Sequence, residues 1–230
     1  MRRIKTGIPG LDELIGGGFP EASSILLTGP TGTGKTIFGL QYLYNGAKDY
    51  KEPGFMISTE DYPTDFQWNQ EAFGWNFKTI QDQNLLVFSR YDPVDYEKFT
   101  MSSLYSEIIL QVSKVIDSVG VKRVVFDSVS PIGAALDNKS TFRTILYYFS
   151  KALKEKGCTT IFIFEKPYTT GALTQYDVEQ FIMDGVIELS FAQQEDALVH
   201  TLSIRKMKAT NFQQARYILE FNESGIKIAP

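Results

Sequence analysis

The sequence predicts an α/β fold: a mostly parallel sheet flanked by helices, with a C-terminal antiparallel strand extension. Three observations carry this. Short apolar runs alternate with stretches of helical periodicity, and those runs are unbroken rather than alternating with polar residues. Beyond about residue 185, strand-like runs follow one another with no helix between them. Unbroken apolar strands are what a parallel sheet covered on both faces requires. Alternation is the mark of an antiparallel strand with one wet face.

Taken in order, Ser23 and Ser24 lead into Ile25-Leu26-Leu27-Thr28, a first strand that runs into glycine-rich sequence. Ile37, Leu40, Leu43, Tyr44 and Ala47 then recur at helical spacing. Gly54 to Ser58 is a second strand, followed by a helix up to Phe73 and Gly74, and Leu85 to Phe88 is a third strand. Leu104, Ile108, Val112 and Val115 mark a helix face before the fourth strand, Val121 to Phe126. Phe142, Ile145, Leu146, Phe149 and Leu153 give another helical stripe before the fifth, Thr159 to Phe164. Val186 to Leu189, Leu198 to Met207, Arg216 to Phe221 and Ile226 to Ile228 form the extension, where Leu198, Leu202 and Ile204 alternate with more polar neighbours. We read one domain over residues 1–230.

Composition narrows the class. Hydrophobic residues make up 43% and charged residues 22%, the proportions of a chain that buries a core rather than a disordered or fibrous one. The net charge of −4 argues against a nucleic-acid protein whose affinity comes from a broad basic surface. The single cysteine, Cys158, excludes an intramolecular disulfide and sits at a strand entrance, where burial is expected. No stretch approaches the ~20 apolar residues of a membrane span, and no apolar core follows Arg2 and Arg3. A soluble, cytoplasmic protein with no membrane partner is expected.

Gly29-Pro30-Thr31-Gly32-Thr33-Gly34-Lys35-Thr36 matches the phosphate-loop pattern in full, with a strand before it and an amphipathic helix after it. The glycines let the backbone curl so that several N–H groups converge on phosphates, aided by the helix dipole. Lys35 is expected to reach the β- and γ-phosphates of ATP, and Thr36 to place its hydroxyl on Mg²⁺. That metal also needs a carboxylate at the end of a neighbouring strand, and Asp127 closes the run Val124-Val125-Phe126. Glu60 and Asp61 follow the second strand. One of them could orient or deprotonate the attacking water, or both could be charge at the start of a helix, which Pro63 favours. Spacing alone does not separate these.

Thr6-Gly7-Ile8-Pro9-Gly10-Leu11-Asp12-Glu13-Leu14-Ile15-Gly16-Gly17-Gly18-Phe19-Pro20, running into the phosphate loop, closely resembles the start of a KaiC-like domain. The likeness continues through Ser58-Thr59-Glu60-Asp61, Phe73-Gly74-Trp75, Asp127-Ser128 and Leu202-Ser203-Ile204-Arg205-Lys206-Met207-Lys208, so it covers nearly the whole chain. The resemblance implies a RecA-like core of the RecA/RadA branch, assembled into a homo-oligomeric ring, commonly a hexamer, with ATP between subunits. Glu60 matches the first of the family's paired catalytic glutamates, and Asp61 stands where the second is usual. Lys206-Met207-Lys208 matches the family's Lys-Met-Arg element, whose basic residues approach the ATP of the adjacent subunit. Lysine for the final arginine replaces a planar clamp with a point charge. The family's clock member phosphorylates itself on a Ser-Thr pair. That position reads Leu173-Thr174-Gln175-Tyr176 here, so a clock function is not implied.

Other features mean less. His200 has no Cys or acidic cluster around it in sequence, and Trp68, Trp75, Phe66, Phe73 and Phe77 read as core packing. The loops Ser128 to Ser140 and Lys166 to Asp177 occupy the places of recombinase DNA-binding loops, yet only Lys139, Arg143 and Lys166 are basic in or beside them. The expected function is a KaiC-type oligomeric ATPase whose hydrolysis drives conformational or partner control. Alternatives are a nucleotide-dependent binding module for a protein partner, a single-stranded-DNA accessory ATPase, and an autokinase.

Overall fold

The computed structural model describes residues 1–62, 64–91, 101–134, 139–166 and 182–229, without the side chains of 101–106 and 139. Pro63, Leu173-Thr174-Gln175-Tyr176 and parts of both loops compared with DNA-binding loops lie outside the described residues.

The chain opens with a two-stranded antiparallel ribbon, β1 (Arg3–Ile4) with β2 (Phe19–Pro20), enclosing the short helix α1 (Leu11–Leu14). There follow β3 (Ser24–Gly29), α2 (Lys35–Tyr50), β4 (Gly54–Ser58), α3 (Phe66–Phe73), α4 (Phe77–Asp82) and β5 (Leu86–Arg90). Next come α5 (Met101–Val119), β6 (Arg123–Asp127), α6 (Ser130–Ala134), α7 (Lys139–Glu155) and β7 (Thr159–Glu165). The last four strands are β8 (Gly185–Gln194), β9 (Ala197–Met207), β10 (Arg216–Asn222) and β11 (Gly225–Ile228). Among the described residues, nine strands form one sheet in the order β11-β10-β9-β8-β3-β7-β6-β4-β5.

β3 is buried along its whole length because it has neighbours on both edges and helices on both faces. Ile25 and Leu27 point to the side covered by α2, where Phe38, Leu40 and Leu43 meet them. Leu26 points to the side covered by α5 and α7, with Ile108, Leu146 and Phe149. The α7 stripe is buried as expected, and on α5 Ile108 and Val112 are, though Ile116 is buried where Val115 is only partly so and the Leu104 side chain lies outside the described residues.

The sheet departs from the expected reading at one strand. β8 was expected in the antiparallel extension, but it pairs parallel to β3 and antiparallel to β9. Parallel pairing therefore spans six strands, and the change of direction falls at the β8–β9 hairpin. The physical reason is that strand direction is set by the connection and not by the strand's own residues, so periodicity does not reveal it. Trp68 is the other correction: it is 75% exposed, while Phe66, Trp75 and Phe77 are buried as expected. Among the described residues no helix is long and apolar enough to cross a membrane.

The ribbon is tied down by Arg3, whose guanidinium donates to the carbonyls of Ile15, Gly18 and Ala209 and to the Thr210 hydroxyl. One cation thus serves oxygens from both the glycine turn and the exit of β9.

Candidate active site

Parallel strands end on the same edge, so the fold itself gathers the residues that close β3, β7, β6 and β4. Gly29, Glu165, Asp127 and Ser58 occupy those ends, in that spatial order. Except for Lys206 and Lys208, the residues the sequence singles out for nucleotide chemistry come together here.

The phosphate loop joins β3 to α2. A side chain at Gly29 would strike the Leu189 carbonyl, at 2.1 Å, so β8 forces glycine there. At Gly34, with φ of 90°, a Cβ would lie 2.6 Å from the Phe221 ring. Thr33 closes the loop by donating to the Pro30 carbonyl at 2.8 Å, and Lys35 Nζ donates to the same oxygen at 2.8 Å. Gly34 caps α2 without a side chain of its own, which leaves the first N–H groups of the helix facing the cleft. Thr31 and Gly32 complete the turn at the cleft mouth.

Thr36 Oγ1 donates to Asp127 Oδ2 at 2.7 Å, so the two residues expected at a metal are in contact. Asp127 is only 7% exposed. Burial pushes its carboxyl up to about 7, Thr36 opposes this, and the charges of Asp61 and Glu60 raise it further. The ends of β4 and β6 are clasped together. Thr59 N–H donates to the Asp127 carbonyl at 3.0 Å, and Thr59 Oγ1 to the Ser128 carbonyl at 2.8 Å.

Ser58 Oγ accepts from the N–H groups of Glu60 and Asp61 at 3.3 and 2.9 Å, turning both carboxylates into the cleft. α3 begins only at Phe66, so neither residue sits in its first turn. The Glu60 carboxyl is raised above the ordinary range by partial burial, then by Glu165 and Asp61. Lys35, 5% exposed, is pulled below the usual lysine value by burial, against the opposing pull of Glu165 and Asp127.

The cleft encloses about 370 Å³. Among the described residues, four carboxylates line it, Glu60, Asp61, Asp127 and Glu165, against the one ammonium of Lys35. Such an excess of acidic groups around the buried Asp127 fits a divalent cation. Among the described residues no three metal-ligating side chains converge, so phosphate and water oxygens would complete its shell, the habit of Mg²⁺. Asp127 and the Thr36 hydroxyl are the groups placed to hold it.

Lys206 and Lys208 are not brought to this cleft. His200 marks the cleft end of β9, and the lysines lie six and eight residues further on, ~20 Å or more at ~3.4 Å per residue. There Lys208 Nζ binds Asp184 Oδ1 at 3.0 Å.

Three residues escaped the sequence reading. Glu165 ends an apolar strand just as Asp127 does, and that signal could have found it. His200 sits between Phe191 and Phe221, with ring centroids 4.7 Å away on each side and Nε2 3.3 Å from the Gly32 carbonyl. No local pattern announces that His200 and Phe221 back the phosphate loop, because pairing across β8, β9 and β10 assembles them.

Comparison with known proteins agrees with this geometry. The family model described as "ATPase: KaiC" matches residues 4–230. A UPF0273 protein of Methanopyrus kandleri, MK0039, is 34% identical across all of this chain and 93% of its own length. The circadian clock oscillator protein KaiC of Prochlorococcus marinus is 32% identical over 98% of this chain, which spans 45% of that longer protein. The crystal structure of the KaiC-like protein PH0186 from Pyrococcus horikoshii superposes with a TM-score of 0.86 at 35% identity, over 100% of this chain and 99% of that one. With its RecA-like α/β fold and complete phosphate loop, the chain belongs to the KaiC family of P-loop ATPases.

Proposed function

We propose that residues 1–230 act as one domain that binds ATP with Mg²⁺ and hydrolyses it, in a homo-oligomeric ring with ATP between subunits. The observation that carries this reading is the convergence of Lys35, the Thr36–Asp127 pair and Glu60 on one cleft. Residues 29–36 wrap the phosphates with backbone N–H groups, and Lys35 meets the β- and γ-oxygens. Thr36 and Asp127 would hold Mg²⁺, which when bound would neutralise charge on the phosphates. Glu60 accepts a proton from the water that attacks the γ-phosphorus, while the bond to the β-bridging oxygen breaks and ADP leaves. A carboxyl raised above its ordinary range is a stronger base for that step than one at the ordinary value.

The distance of Lys206 and Lys208 from their own cleft supports catalysis in trans: each can serve only the ATP of a neighbouring subunit, six of which would close a hexamer. A second reading, a nucleotide-dependent module with little turnover, is favoured by one observation. Lys208 is already engaged by Asp184, and it is a lysine where the family carries arginine.

Phosphate release from Mg-ATP by wild type and Glu60→Gln, with light scattering after size exclusion, tests the proposal. Turnover by wild type, at least ~10²-fold reduced in a variant that still binds ATP and assembles, is the expected result. Equal release by both proteins would transfer the case to the module reading.

A further inference from the structure

Lys35 has a carboxylate neighbour that phosphate chemistry does not require. Glu165 Oε1 stands 3.6 Å from its Nζ, and the same oxygen accepts from the Thr31 hydroxyl at 3.4 Å. The backbone beneath is held on both sides. Glu165 N–H donates to Ser130 Oγ at 2.8 Å, and Lys166 N–H to the Gly29 carbonyl at 3.1 Å. β7 therefore fixes Glu165 beside the phosphate loop, while its side chain remains 42% exposed and free to turn outward. Asp127, by contrast, is occupied by Thr36.

An ammonium buried to 5% exposure is costly without an anion, and Glu165 is the anion nearest to it. A polyphosphate entering the loop needs the same ammonium. Once phosphate takes it, the carboxylate is left facing like charge and must swing away.

We infer that Glu165 is the resident counter-ion of Lys35, an internal competitor that lowers affinity for nucleoside polyphosphates and hastens release of the product. This rests on the proposed nucleotide site and deepens it. Glu165 is a positioning residue here: it neither binds the phosphates nor takes part in bond cleavage.

The test is titration of wild type, Glu165→Gln and Glu165→Ala with Mg-ADP and with a non-hydrolysable Mg-ATP analogue. Both variants should bind about two- to fivefold tighter, the scale of one partly exposed ion pair, and ADP should dissociate more slowly. Unchanged or weaker binding with wild type still binding overturns this inference and leaves the ATP site standing. Binding by none of the three proteins overturns both. A second readout excludes a general loosening of the fold. Glu165→Gln should lower the melting temperature of the nucleotide-free protein, and lose that effect in a Lys35→Met background. An equal effect in both backgrounds counts against the counter-ion role.

Discussion

Two aspartates at opposite edges of the sheet are buried almost equally, Asp127 to 7% exposure and Asp184 to 8%, yet they titrate in opposite directions. Asp127 is pushed up to about 7 by burial, with the Thr36 hydroxyl as partner and other carboxylates nearby. At Asp184 burial works the same way but is outweighed by Lys154, the Ser24 N–H and Lys208, and the carboxyl falls below the usual range. Burial does not decide a carboxylate's charge; its partners do. Asp184 is bonded directly to Lys154 and Lys208, whereas Asp127 is bonded to the neutral Thr36 hydroxyl and feels Lys35 only as its smallest influence. In the proposed reading, that leaves Asp127 able to take a cation from solution.

Substitutions can break that comparison. The largest effect is expected from Asp127→Asn, which should cut Mg-dependent phosphate release by about 10²-fold or more and abolish any Mg²⁺-induced rise in melting temperature. The same substitution should stabilise the nucleotide-free protein at pH 8, by at most about 4 kcal/mol, by roughly a third of that at pH 5, and barely at all near pH 3. The sign follows from a folded value above the unfolded one. The native state binds the extra proton between roughly pH 4 and 7, so the wild type loses stability as pH rises through that window.

Asp184→Asn should act oppositely, destabilising at pH 7 by about 1–3 kcal/mol, or several degrees of melting temperature in a chain this long. The lower figure is expected because Lys208 is 59% exposed. Its loss should fade in acid, since stability from a depressed carboxyl disappears as pH falls through the folded value. A destabilisation by Asp127→Asn at pH 8 would contradict the contrast at its root. The smallest effect is reserved for Lys208→Arg, which should raise turnover a few-fold if the trans contact limits the rate. No change there would count against the module reading, which takes lysine at this position as a reason for slow turnover.

How legible all this was in the sequence depends on what each residue needs. The strands, the two main helix stripes and the phosphate loop declare themselves locally, through periodicity and glycine spacing. Asp127 was legible because a carboxylate ending an apolar strand must arrive at the ligand edge. Glu165 obeys the same rule and passed unnoticed for want of a motif around it. β8 was misassigned because strand direction depends on the connection, not on the strand's own residues. The pairing of His200 with Gly32, 168 positions apart, has no local sign at all.

β9 has a consequence that reaches past a single subunit. Toward one end it presses His200 against its own phosphate loop; at the other it carries Lys206, with Lys208 just beyond its last residue. A strand buried on one face cannot slip by one residue without turning every side chain over, so it moves as a unit or not at all. In an assembly of the kind proposed, one stiff rod of chain would then have a nucleotide at each end. The state of one site would be felt at the next with no hinge in between, and the spacing of events around the ring would be set by how far that rod can tilt.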